Sequence, residues 1–143
     1  MRSTRVSIPL IGVLFCIPSC ILEDNVSIDY HVRNLCSEGV WMCWYEGQQH
    51  GIPWTDSVYL MPEEDFHTSY YDMGGWNNTP FGIPDSMVLR TQSGSEVTYS
   101  NAFEGRSPLH LDHYTGGKTG EHRNTTYFKY TYEIREEDFE VGK

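Results

Sequence analysis

From Val26 onward the chain alternates apolar and polar positions with a period of two. Val26, Ile28, Tyr30 and Val32 fall on one side, and Ser27, Asp29, His31 and Arg33 on the other. That is the pattern of a half-buried strand. Turn-forming residues fill 34–39. The segment 40–45 is apolar on both faces, with Val40, Met42 and Trp44 against Trp41, Cys43 and Tyr45. Such a strand is covered on both sides or central in a sandwich, and the two strands together read as a hairpin. A polar loop is expected over 46–56, then a short strand over 57–61 stopped by Pro62. A charged turn, Glu63-Glu64-Asp65, precedes a further strand over 66–71, and 72–85 reads as a long loop. Strands over 87–91 and 96–99 predict a second hairpin with Ser93-Gly94 at its tip. Within 101–124 the pattern offers one strand, 109–114, and a Gly-rich turn through Gly116, Gly117 and Gly120. The longest strand comes last, where Thr126, Phe128, Tyr130, Tyr132 and Ile134 alternate with Tyr127, Lys129, Thr131 and Glu133. The charged stretch 135–139 predicts one helical turn.

No segment sustains a helical period. Roughly six to eight short strands with such turns predict an all-β fold, a single antiparallel β-sandwich of immunoglobulin- or transthyretin-like kind over 26–143. Composition agrees. The chain has ten tyrosines, four tryptophans and six phenylalanines, residues suited to pleated, half-buried surfaces.

The N-terminus follows different rules. Arg2 and Arg5 precede a short apolar run, 8–17, broken by Pro9 and Gly12. The run is too short for a bilayer-spanning helix, which needs roughly 20 apolar residues, and fits a cleaved export signal. Its end, Ile17-Pro18-Ser19-Cys20, resembles the acylation site of a bacterial lipoprotein signal peptide. Ile17, Ser19 and Cys20 match that pattern and Pro18 departs from it. The resemblance implies a signal peptide over 1–19, a palmitate-type lipid anchor on Cys20, and a tether over 20–25 that holds the domain close to the outer membrane.

Charge narrows the partners. The chain carries 10 basic and 20 acidic residues, and the signal would remove two arginines and no acid. A domain this acidic is repelled by phosphate backbones, so nucleic acid is disfavoured as a partner. Cys36 and Cys43 lie in the body of the chain. In an oxidising compartment such a pair can bridge, but the hairpin register does not set them opposite each other. Bridged and free thiols are both open at this point.

Arg33-Asn34-Leu35-Cys36-Ser37 after the first strand, and Tyr130-Thr131-Tyr132-Glu133-Ile134-Arg135-Glu136-Glu137-Asp138-Phe139 at the end, join the acylation-type Cys20 in a wider likeness. The chain resembles the small exported lipoproteins of Bacteroides-type (Bacteroidales) gut bacteria. This likeness brings no activity and no catalytic residue. Asp56-Ser57-Val58 and Asp85-Ser86-Met87 resemble the short motif that such bacteria O-glycosylate, which implies Ser57 and Ser86 as modification sites. The plainer reading is a turn carboxylate at a strand entry.

The candidate chemistry is sparse. His110, Asp112 and His113 form the densest set of metal-ligand types. On a strand, however, His110 and Asp112 share one face and His113 takes the other, while a catalytic zinc usually has three protein ligands. His67 or His122 would have to complete the set. No Gly-x-Ser-x-Gly elbow is present. The aromatic loop Tyr70, Tyr71, Asp72, Trp76, Asn77 and Asn78 offers flat rings among amides and carboxylates, which suits sugars. The expectation is a lipid-anchored envelope protein without catalysis or cofactor, binding a glycan or an envelope protein. The alternatives are a metal-assisted hydrolase using His110, Asp112 and His113, and an assembly lipoprotein that pairs through strand edges.

Overall fold

The computed structural model describes residues 25–49, 52–72, 80–81, 84–100 and 102–140. The signal, Cys20 and most of the tether lie outside the described residues, as do Trp76, Asn77 and Asn78. Among the described residues, eight strands make two four-stranded sheets. Sheet A runs in the order β4-β1-β8-β7, from β1 (Asn25–Asn34), β4 (Asp65–Asp72), β7 (Thr115–His122) and β8 (Thr125–Ile134). Sheet B runs β3-β2-β5-β6, from β2 (Val40–Gln49), β3 (Ile52–Leu60), β5 (Pro84–Thr91) and β6 (Glu96–Ser100).

The period-two pattern decides which faces meet. Ile28, Tyr30, Val32, Tyr132 and Ile134 of sheet A are buried, as are Val40, Met42, Trp44, Met87, Leu89, Val97 and Tyr99 of sheet B. Each such side chain contributes about 1.5–3 kcal/mol on burial. The sheets touch directly where Trp44 meets Phe66, with ring centroids 5.8 Å apart. Tyr30 is fully buried at the centre of sheet A, stacked on Tyr130 at 5.9 Å and edge-on to Tyr70 and Tyr114. An all-β sandwich is therefore the fold.

Several local expectations are corrected. β1 and β2 are not a hairpin: they lie in different sheets, and 35–39 crosses between them. Each strand has one strongly apolar face, and placing them in opposite layers buries both. The crossing is held by Asn34, which is fully buried. Its Nδ2 donates to the carbonyls of Glu38 (2.9 Å) and Leu60 (3.0 Å), and its Oδ1 accepts from the Cys36 amide (2.9 Å). All strand pairs are antiparallel except β1 with β8, which run parallel from Asn25↔Thr125 to Asn34↔Ile134.

The polar loop over 46–56 is instead the continuation of β2 and the start of β3, with a register shift between Glu46 and Gln49. β3 is an edge strand, where Pro53 can lack an amide proton without breaking a ladder. The strand expected at 109–114 is a 3-10 turn, Leu111–His113. The expected Gly-rich turn is strand β7, also an edge. Gly116 has φ 129°, and a Cβ there would stand 2.0 Å from the Lys129 carbonyl oxygen, so only glycine allows that pairing. The hairpin β5–β6 and the turn at Glu136–Phe139 are found as expected. In that last turn Asp138 is buried and takes two hydrogen bonds from Arg106, at 2.7 and 2.8 Å. The Arg106 guanidinium also lies over the Tyr132 ring.

Candidate functional site

The outward faces of the two sheets differ in character. On sheet B, β2 lies between β3 and β5, so its outward residues form cross-strand rows. One row reads Tyr59, Trp41, Arg90, Glu96. The next reads Ser57, Cys43, Val88, Thr98. The third carries Tyr45, Ser86 and Ser100. Trp41 is 47% exposed and Tyr45 37%. Trp41 leans on Tyr59 with ring centroids 4.9 Å apart, and Arg90 beside it is tied to Glu96 by a 2.7 Å hydrogen bond. The middle row is made of small side chains. The result is a trough across the strands, walled by the Trp41 row on one side and Tyr45 on the other. The walls stand about 13 Å apart, since alternate residues are separated by about 6.8 Å along a strand.

The apolar pattern of 40–45 predicts a strand covered on both sides or central in a sandwich, and β2 is an inner strand of sheet B. The inner face is indeed buried, through Val40, Met42 and Trp44. The outer face is open, so of the two alternatives the central strand holds and the doubly covered one does not. The signal is legible in the sequence, where Trp41, Cys43 and Tyr45 form a second apolar face. What the sequence could not show was the absence of a covering layer among the described residues.

Of the aromatic loop residues, Tyr70, Tyr71 and Asp72 lie within the described residues. Tyr70 and Tyr71 are neighbours on β4 and point to opposite faces. Tyr70 packs edge-on against Tyr30 and donates from its hydroxyl to the Pro80 carbonyl at 3.3 Å. It pins the chain to the core and is not a ligand platform. Tyr71 is 64% exposed on the outer face of sheet A. Asp72 ends β4.

Ser57 and Ser86 both lie on the outer face of sheet B, Ser57 exposed and Ser86 half-buried. The Ser57 amide donates to its own neighbour Asp56, at 2.8 Å from Oδ1. That is the local carboxylate contact expected at a strand entry.

The cysteine bridge is not formed; both thiols are free. Cys36 is buried in the core, whereas Cys43 belongs to the outer row of β2. Burial, reinforced by Glu136, pushes the Cys36 thiol up to about 12, so it stays protonated and inert. Burial also raises Cys43.

His110, Asp112 and His113 sit in and beside the 3-10 turn and not on a strand. His113 is occupied structurally, its Nδ1 accepting from the Ser107 amide at 3.1 Å. Asp112 is exposed. Among the described residues no group of three or more His, Cys, Asp or Glu side chains is arranged to hold a metal. The set invoked for a metal-assisted hydrolase therefore does not converge.

A shallow depression of about 630 Å³ lies beside the β7 edge, lined by Thr115, Gly117, Lys118, Thr119, Lys129 and Thr131. It exists because Gly117 puts no side chain opposite Lys129. One of its two lysines is already paired, Lys118 with Glu121 at 2.5 Å. Comparison with protein-family models and with curated proteins gives no match.

Proposed function

We propose that the protein is a lipid-anchored module of the bacterial cell envelope that binds a neutral glycan on the outer face of sheet B, without catalysis. The observation that carries this reading is the exposed Trp41, propped by Tyr59 and facing Tyr45 across a floor of small side chains. Aromatic faces cover the apolar faces of a pyranose, while hydroxyl and charged groups take its polar edges. Ser57, Thr98, Ser86 and the Arg90–Glu96 pair supply such groups around the rings. A net charge of −10 disfavours anionic polysaccharides. The export signal and Cys20 support the anchored location.

The experiment is thermal unfolding of the protein against a panel of neutral oligosaccharides, since a ligand of the folded state raises the melting temperature by mass action. At least one glycan should raise it, and Trp41→Ala should abolish that rise while the unliganded melting temperature changes little. A rise that survives Trp41→Ala, or no rise with any glycan, would defeat the reading.

A further inference from the structure

The wall that carries Trp41 leans on a residue without a side chain. Gly39 is buried and stands immediately before β2, two positions from Trp41. Tyr59 is directly opposite Trp41 in the β2–β3 register, which makes it the diagonal neighbour of Gly39. Its ring lies over Gly39. A Cβ built at Gly39 would stand 1.9 Å from the Tyr59 hydroxyl oxygen, 2.4 Å from Cζ and 2.9 Å from Cε2. Carbon atoms in contact sit about 3.5–4.0 Å apart. A side chain at position 39 and the Tyr59 ring in its present place therefore exclude each other.

Room for that ring is what requires glycine here. The backbone of Gly39 is outside the left-handed region that Gly94, Gly116 and Gly117 occupy, so its conformation admits alanine. The same backbone is tied down, since the Gly39 carbonyl accepts from the Gln92 amide at 3.0 Å. The Tyr59 ring in turn meets the Trp41 ring, with centroids 4.9 Å apart and planes at 46°. On its other flank Trp41 faces Arg90 of β5. Arg90 is held by Glu96, with Nε 2.7 Å and Nη2 2.5 Å from Oε2. Both neighbours of the exposed indole are thus fixed.

We propose that Gly39 and Tyr59 are positioning residues of the outer face of sheet B. The bare backbone at Gly39 seats the Tyr59 ring, and the seated ring fixes the orientation of Trp41 before any ligand arrives. A ring already held in its bound orientation spares the cost of ordering it on binding. The use of this brace in binding rests on the glycan reading, whereas the brace itself does not. Neither residue needs to touch the sugar; both act through Trp41.

Three variants of the full chain test this: Gly39→Ala, Tyr59→Ala and the two combined. Each single change should displace the Trp41 indole resonance while that of the buried Trp44 stays. Melting temperatures should stay close to the parent, because the displaced ring can swing from the edge strand β3 into solvent. In the combined variant Gly39→Ala should add nothing to Tyr59→Ala, since the new methyl has no ring to displace. The binding probe is the neutral oligosaccharide that most raises the parent's melting temperature. Each single variant should bind it at least threefold more weakly, and Tyr59→Phe, which keeps the ring, should bind as the parent does. An unmoved Trp41 resonance in Gly39→Ala, additive displacements in the combined variant, or parental affinity in both single variants would overturn the proposal. A parent that binds no oligosaccharide defeats the glycan reading, and the resonances then decide on the brace.

Discussion

At the residue scale, a single buried polar side chain, Asn34, holds the crossing between the two sheets. Asn34 satisfies two carbonyls and one amide where the chain leaves sheet A for sheet B. Asn34→Ala would strand these groups in the interior, at about 1–3 kcal/mol for each that finds no water. Urea denaturation should show a loss of about 3 kcal/mol, at the upper end of the usual range for one substitution. The sequence marked Asn34 only as a turn former, because hydrogen bonds to Leu60, distant along the chain, leave no local signature. The alternation around Tyr30 and Tyr132 was legible, since period two depends only on neighbours. The seating of Tyr59 on Gly39 was not, because the two become neighbours only through the β2–β3 register.

At the element scale, strands were legible wherever one face is apolar and the other polar, as in β1, β5, β6 and β8. They were hidden where pairing alone makes the strand. β7 reads Thr-Gly-Gly-Lys-Thr-Gly-Glu-His and buries almost nothing, so its composition says turn while its hydrogen bonds to β8 say strand. Partner choice was also hidden: β1 and β2 are adjacent in sequence yet lie in different sheets, and β1 pairs in parallel with the last strand instead. The glycine geometry of β7 yields a test. Gly116→Ala meets both a φ of 129° and a backbone oxygen at 2.0 Å, whereas Gly117→Ala meets a φ of 155° and open space. Strain of this kind costs about 1–3 kcal/mol. Amide exchange over 115–122 should rise strongly in Gly116→Ala and less in Gly117→Ala.

At the scale of the whole molecule, the interior is rich in groups that must stay protonated. Burial, with smaller contributions from neighbouring phenols and carboxylates, raises Cys36 from 9.0 and Tyr30 from 10.0 to about 12, and raises Tyr99, Tyr114 and Tyr132 as well. The unfolded chain releases these protons first, so it binds fewer protons than the folded one in alkali, and stability falls as pH rises. Their contribution is whole below about pH 9, the unfolded thiol value, and declines as pH climbs toward 12. Denaturation midpoints measured across that window should fall steadily, and a flat profile would contradict the buried placement of these groups. The sandwich itself was legible from strand count and aromatic content. The binding face was half-legible: the second apolar face of β2 could be seen, but not that it stays open. The glycan account rests on that face, and the four tryptophans provide its most direct measurement. The indole N–H resonances would be followed while a neutral oligosaccharide is added. The account predicts that Trp41 shifts with saturation while the buried Trp44 does not. A titration in which Trp41 stays fixed while Trp76 moves, or in which no indole moves with any glycan, would contradict it.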